Sequence, residues 1–125
     1  LKDKVILLCG ISYRQDIGDT RYSASETFFL DATRRGAEVI CHDPLCSEWP
    51  ELEVFVHRHD LPLENVDLVV FAVQHDFYQE IDLADLAQRY SFRILDGNRV
   101  LTDKQREDFI HYGGQLHSIG RGESA

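Results

Sequence analysis

A chain of 125 residues, 43% hydrophobic and 28% charged, has the length and balance of one globular domain and is short for two. Its 22 acidic and 13 basic residues give a net charge of −9, which excludes a duplex-binding surface built on a basic stripe and disfavours an anionic membrane as partner. No run approaches the ~20 apolar residues that cross a bilayer, and three cysteines, Cys9, Cys41 and Cys46, fit reduced thiols in a cytoplasmic protein better than a disulfide framework.

The chain begins at Leu1 without an initiator Met or a signal-peptide pattern, as an excised or processed segment would. Residues 4–9 form a continuous apolar run ending at Gly10, the pattern of a strand buried on both faces. Ser23 and Glu26 have the spacing of a capping box, which predicts a helix through Phe28, Phe29, Leu30 and Ala32, stopped at Gly36 after Arg34 and Arg35. Residues 38–41 predict a second strand closed by Asp43-Pro44, and residues 52–56 a short third one. Trp49 and Pro50 fall between them in an expected loop, with the indole partly exposed for a neighbouring domain or a second subunit. Residues 66–72 are the clearest later strand. A helix over 83–90, a strand over 92–95, a helix over 102–112 capped by Thr102 or Asp103, and a strand over 115–119 complete the reading. This alternation predicts a single α/β domain over residues 1–120, Rossmann-like and doubly wound on a mainly parallel sheet, with 121–125 a frayed polar tail.

In such sheets ligands bind beyond the C-terminal strand ends, here residues 10–22, 42–46, 73–77 and 96–99. The first of these segments lacks the G-x-G-x-x-G turn that cradles a dinucleotide pyrophosphate; only Gly10 and Gly18 are present, in a loop of roughly a dozen residues. It carries Arg14 and Arg21 among Asp16 and Asp19. Guanidinium forks suit phosphate and pyrophosphate, and the carboxylates can orient them; a solvated loop with weak surface ion pairs accounts for the same composition. Cys41, His42 and Cys46, with His57, His59 and His75, lack the paired close spacing of a zinc site. His75 follows a strand and is read as structural or solvent-facing ahead of a general base. Asp43 stands where a dinucleotide fold puts its ribose-binding acid, and without the glycine fingerprint it reads as a turn former.

The stretch Gly10-Ile11-Ser12-Tyr13-Arg14-Gln15-Asp16-Ile17-Gly18-Asp19-Thr20-Arg21-Tyr22-Ser23 resembles the G-x-x-[FY]-K-x-x-[ST]-x-D-x-R-x-S signature of the UDP-glucose/GDP-mannose dehydrogenase family. Gly36-Ala37-Glu38-Val39, Asp43-Pro44, residues 67–73 with His75, and Asp96-Gly97-Asn98-Arg99 are similar to further elements of that family, in order along nearly the whole chain. The resemblance implies a nucleotide-sugar-binding C-terminal domain of an NAD-dependent enzyme that oxidises the sugar C6 hydroxyl to a carboxylate, as in polysaccharide biosynthesis. It implies that NAD is held mainly by an N-terminal domain absent from this chain, and that this domain alone carries no catalytic residue. It also implies a central helix that mediates dimerisation, so a homodimer is one expected assembly. By position, Tyr13, Arg14, Asn98 and Arg99 would contact the UDP-sugar, and Arg21 would reach the NAD side of the cleft. Cys9 lies in a strand and does not match the family's nucleophile.

Three positions depart from the pattern. Arg14 replaces Lys, Ile17 replaces Ser or Thr, and Asn98 stands at the Arg position of the D-x-R-N turn, with Arg99 one residue later. Arg14 and Asn98 motivate a second reading, a catalytically silent nucleotide-binding or regulatory module derived from the family. A response-regulator-like domain would need acids at the first strand end, where Leu8-Cys9-Gly10 offers none.

Overall fold

The computed structural model describes residues 2–12, 24–97 and 99–119. The expected Ser23 cap and the frayed tail fall outside the described residues. In chain order the elements are β1 (Val5–Cys9), α1 (Ala24–Arg34), β2 (Glu38–His42), β3 (Glu48–Trp49), β4 (Val54–His57), β5 (Leu68–Phe71), α2 (Asp76–Gln79), α3 (Leu83–Arg89), β6 (Arg93–Gly97), α4 (Asp103–His111) and β7 (Gln115–Ile119). Among the described residues they build one seven-stranded sheet in the order β3-β4-β2-β1-β5-β6-β7. Every pairing is parallel except β3 with β4. The expected fold class, a Rossmann-like doubly wound domain, is the one observed.

The centre of the sheet follows from its composition. Ile6, Leu7, Leu8 and Cys9 of β1 are all buried, and the two-residue side-chain period sends them to opposite faces. Ile6 and Leu8 join the cluster that contains Ala32 of α1, with Phe28 and Phe29 packed against it. Leu7 and Cys9 join the cluster of Leu83 from α3 and Phe109 from α4. Helices thus cover both faces, and a strand between them must be apolar on both sides.

The C-terminal α4 shows the local logic. Thr102 Oγ1 accepts the Gln105 amide at 3.1 Å while Gln105 Oε1 accepts the Thr102 amide at 2.9 Å, a complete capping box. Thr102, not Asp103, is therefore the cap. Thr102→Ala is expected to cost about 1 kcal/mol, read as a lower urea midpoint with unchanged slope.

Two stretches differ from the expectation. Trp49 belongs to β3 and is wholly buried, its ring edge-on to Phe29 of α1 at 5.6 Å. An aromatic partner across the helix–sheet boundary, invisible to local composition, draws the indole inside rather than leaving it for a second chain. The strand expected at 52–56 begins only at Val54, because Glu53 turns the chain at φ 54°. The short α2 also lacked a sequence signal, since four residues cannot display a helical period.

Candidate functional site

β1 lies between β2 and β5, and the chain winds away from it in opposite directions, so the topological switch point sits at the C-terminal ends of β1 and β5. The two exits meet closely. Gly10 N–H donates to the His42 carbonyl at 2.8 Å and Ala72 N–H to the Cys9 carbonyl at 2.9 Å. Gly10 has φ 101°, and a Cβ there would stand 2.8 Å from the Cβ and backbone N of Val73. Ser25 Oγ, in the first turn of α1, donates to the Gly10 carbonyl at 2.7 Å.

Asp43, just past β2, organises the three exits. Its Oδ2 accepts the Ile11 amide at 2.9 Å, the Ser12 amide at 3.1 Å and the Ser12 hydroxyl at 2.9 Å. The same oxygen accepts from His75 Nε2 at 3.1 Å, while Oδ1 accepts the Leu45 amide at 2.8 Å. Asp43 is fully buried, as are Ser12 and His75. Burial by itself would raise the Asp43 carboxyl; the His75 ring and the Ile11 and Leu45 amides outweigh it and hold the carboxyl below its ordinary value. With that oxygen an acceptor, His75 Nε2 carries the hydrogen.

A second buried pair lies beside it. His42 Nδ1 is 2.9 Å from Tyr78 Oη, which also donates to the His42 carbonyl at 3.1 Å. Burial pushes the His42 imidazole down to about 4, although the Asp43 charge pulls it back part of the way, so the ring is neutral at pH 7. Burial likewise pushes the Cys41 thiol up to about 12 and raises that of Cys9, which leaves both protonated and inert.

At the end of β6, Asp96 turns back on its own loop. Oδ1 accepts the Val100 amide at 2.7 Å, and Oδ2 accepts the Leu101 amide at 3.2 Å and pairs with Arg106 Nη2 at 3.3 Å. Arg99, at φ 55° on this turn, is exposed, and its carbonyl accepts from Gln74 Nε2 at 3.1 Å. Of the expected binding residues, Arg99 is thus at a strand exit and tied to the β5 exit. Tyr13, Arg14, Arg21 and Asn98 lie outside the described residues, as do Asp16 and Asp19.

Sequence reasoning read Asp43 as a turn former. The Leu45 bond makes it one, but the bonds to Ile11, Ser12 and His75 were missed. They span 31 and 32 positions, and only the parallel β1–β2–β5 register brings them together. His75 is structural and buried rather than solvent-facing. A broad cavity of about 1060 Å³, lined by Lys4, Asp67, Tyr90, Arg93, Tyr112 and His117 among others, opens around the opposite, N-terminal strand ends. The switch point, where the strand-exit loops converge, is the better candidate for ligand chemistry.

This arrangement also bears on a dinucleotide. A cofactor pyrophosphate needs backbone at the β1 exit open to close approach, yet Val73 fills the space over Gly10. The acid after β2 would have to receive a ribose, yet both Asp43 oxygens are occupied and buried. The described residues do not fit NAD.

Fold and sequence together define a doubly wound α/β domain whose first strand is not followed by the G-x-G-x-x-G pattern of a dinucleotide fold. Residues 7–103 match the family described as UDP-glucose/GDP-mannose dehydrogenase family, UDP binding domain, and the chain belongs to that family. Among its relatives, UDP-N-acetyl-D-mannosamine dehydrogenase of Methanocaldococcus jannaschii is 26% identical over 126 residues, covering 96% of this chain and 28% of that protein. UDP-glucose 6-dehydrogenase of Gallus gallus is 28% identical over 143 residues, covering 98% of this chain and again 28% of its own length. The chain thus spans little more than a quarter of these relatives. In solved structures, the UDP-D-ManNAc dehydrogenase of Pyrococcus horikoshii shares the fold with a TM-score of 0.70 at 21% identity, over 98% of this chain and 27% of that one. A conserved hypothetical protein from Pyrococcus furiosus gives 0.65 at 21% identity over 94% of both chains. Among the described residues no helix is long and apolar enough to cross a membrane.

Proposed function

We propose that this chain is the nucleotide-sugar-binding domain of a cytoplasmic, NAD-dependent UDP-sugar 6-dehydrogenase. The observation that carries the reading is the match to the family's UDP binding domain over residues 7–103, which includes every strand exit at the switch point. In this reading Tyr13, Arg14, Asn98 and Arg99 hold the UDP-sugar, with Arg14 offering a fork to the diphosphate. Arg21 reaches the NAD side, and NAD itself rests mainly on an N-terminal domain of the same protein. The poor fit of NAD to Gly10 and Asp43 supports that division. A homodimer of the whole enzyme is part of the same reading. In the same reading the catalytic groups belong to the rest of the enzyme, and the two strand thiols, Cys9 and Cys41, are buried and protonated.

An amide NMR titration of the chain with UDP, then UDP-glucose and UDP-N-acetylhexosamines, with GDP as control, tests this directly. Uridine-selective shifts at Tyr13, Arg14 and residues 98–99 are the expected result. Equal responses to UDP and GDP, or none at millimolar ligand, would count against it.

The second reading, a catalytically silent nucleotide-binding or regulatory module, draws on the Pyrococcus furiosus chain, which has this fold at nearly this length. Reduction of NAD by the whole natural polypeptide with any UDP-sugar would dismiss the silent module. UDP binding without any such turnover would favour it.

A further inference from the structure

We infer that Asp43 is a positioning residue for the ligand loops, a buried bracket that fixes the chain where it leaves β1 and ties it to the exits of β5 and β6. This deepens the nucleotide-sugar reading and rests on it.

A carboxylate with no exposure is costly unless its lone pairs are filled, and here they are filled from three separate segments. Pairing of β1 with β2 does not require it. Five residue pairs and the Gly10–His42 bond already join those strands. What the carboxylate adds begins where the ladder stops. It holds Ser12 twice, by amide and hydroxyl, and Ser12 directly precedes Tyr13 and Arg14. Asp43 therefore fixes Ser12, the residue that precedes them in sequence.

The same Oδ2 receives His75, and the residue before His75, Gln74, holds the Arg99 carbonyl. A continuous path thus runs from Ser12 through Asp43, His75 and Gln74 to Arg99. Ser12, next in sequence to the first proposed half of the ligand site, and Arg99, in the second, lie beyond different strands of the sheet, and this path links them. Supporting groups of this kind decide whether binding side chains are presented at usable separations.

The test uses four variants. Ser12→Ala deletes the hydroxyl bond and keeps the fold; Ser12→Thr retains a hydroxyl; Asp43→Asn removes the charge and one acceptor; Val69→Ala, mid-strand in β5, controls for lost stability. UDP affinity of Ser12→Ala is expected to fall roughly tenfold, the scale of one well-placed hydrogen bond. Ser12→Thr should recover most of that affinity, and Val69→Ala should bind as the unaltered chain does even where it melts lower. Hydrogen exchange gives a readout independent of any ligand. In Asp43→Asn the Ile11 and Ser12 amides should exchange at least about tenfold faster while Leu7 and Leu8 stay protected.

UDP affinity that is unchanged in Ser12→Ala, or that tracks melting temperature across all variants, would overturn the inference and leave the nucleotide reading standing. Unchanged exchange at Ile11 and Ser12 in Asp43→Asn would overturn it as well. Failure of the unaltered chain to bind UDP would instead remove the nucleotide reading, and the bracket would lose its role along with it.

Discussion

Gly10→Ala is expected to lower the melting temperature by roughly 10–20 °C, because two costs fall on one atom. At φ 101° a side chain pays about 1–3 kcal/mol of backbone strain. The added Cβ would also stand 2.8 Å from both the Cβ and the backbone N of Val73, and overpacking of a tight contact costs about 1–3 kcal/mol more. Val73 cannot move aside freely, since it follows the Ala72 amide bonded to Cys9 and precedes the buried His75. Gly113→Ala separates the two contributions. It has a similar φ of 88° with nothing within 4 Å, so it should show the strain alone. Thermal melts followed by circular dichroism decide the matter. Equal small losses for both variants would mean that the β1 and β5 exits are not in the tight contact described.

Acid should weaken the fold well above the carboxylate range. His42 titrates at about 4 in the folded chain against 6.5 in the ordinary case, because its buried ring resists a charge. Between those values the unfolded chain binds a proton that the folded chain refuses, so stability is full above about pH 6.5 and falls as pH drops toward 4. The total is about 3 kcal/mol at 1.36 kcal/mol per unit, an order-of-magnitude figure. Asp43 acts elsewhere. Its carboxyl is depressed, so its contribution is intact above 3.8 and disappears only as pH falls through its lower folded value. Urea unfolding at pH 7, 5.5 and 4.5 should therefore show a falling free energy that His42→Gln largely flattens. A slope identical in the variant would assign the acid sensitivity to other groups.

The fold was legible wherever burial acts through neighbours in the chain. The apolar run at 4–9 announced a central strand because both of its faces are covered, and the last strand fell at Gln115–Ile119 as expected. The α1 stop at Gly36 was also plain, since φ 95° is a glycine conformation. What local patterns could not carry was pairing across distance. Trp49 looked like a loop residue because Phe29, its ring partner, lies in α1 and not nearby in sequence. His75 looked undecided because its partner, Asp43, lies 32 positions away. For the candidate site, the strand exits were predictable from the winding rule, and Arg99 is found at one of them. The carboxylate that organises those exits was seen only as the first residue of a turn, since an Asp-Pro pair looks the same whether its oxygens face water or receive five donors.

The strand at the middle of the sheet precedes both of its neighbours in sequence, and that governs how the sheet is assembled. β1 finds β2 across a connection of moderate length, but its other edge must wait for β5, and the Val5 amide for a carboxylate 62 positions away. Closing that span costs entropy before any of its contacts give a return, and parallel ladders of high contact order fold slowly for this reason. Until Leu68–Phe71 arrive, β1 stands as an open apolar edge with unsatisfied backbone, the kind of surface on which a partly folded chain associates with its own copies. The same centrality that shields Ile6 through Cys9 from water in the finished domain leaves them open along one edge until β5 arrives.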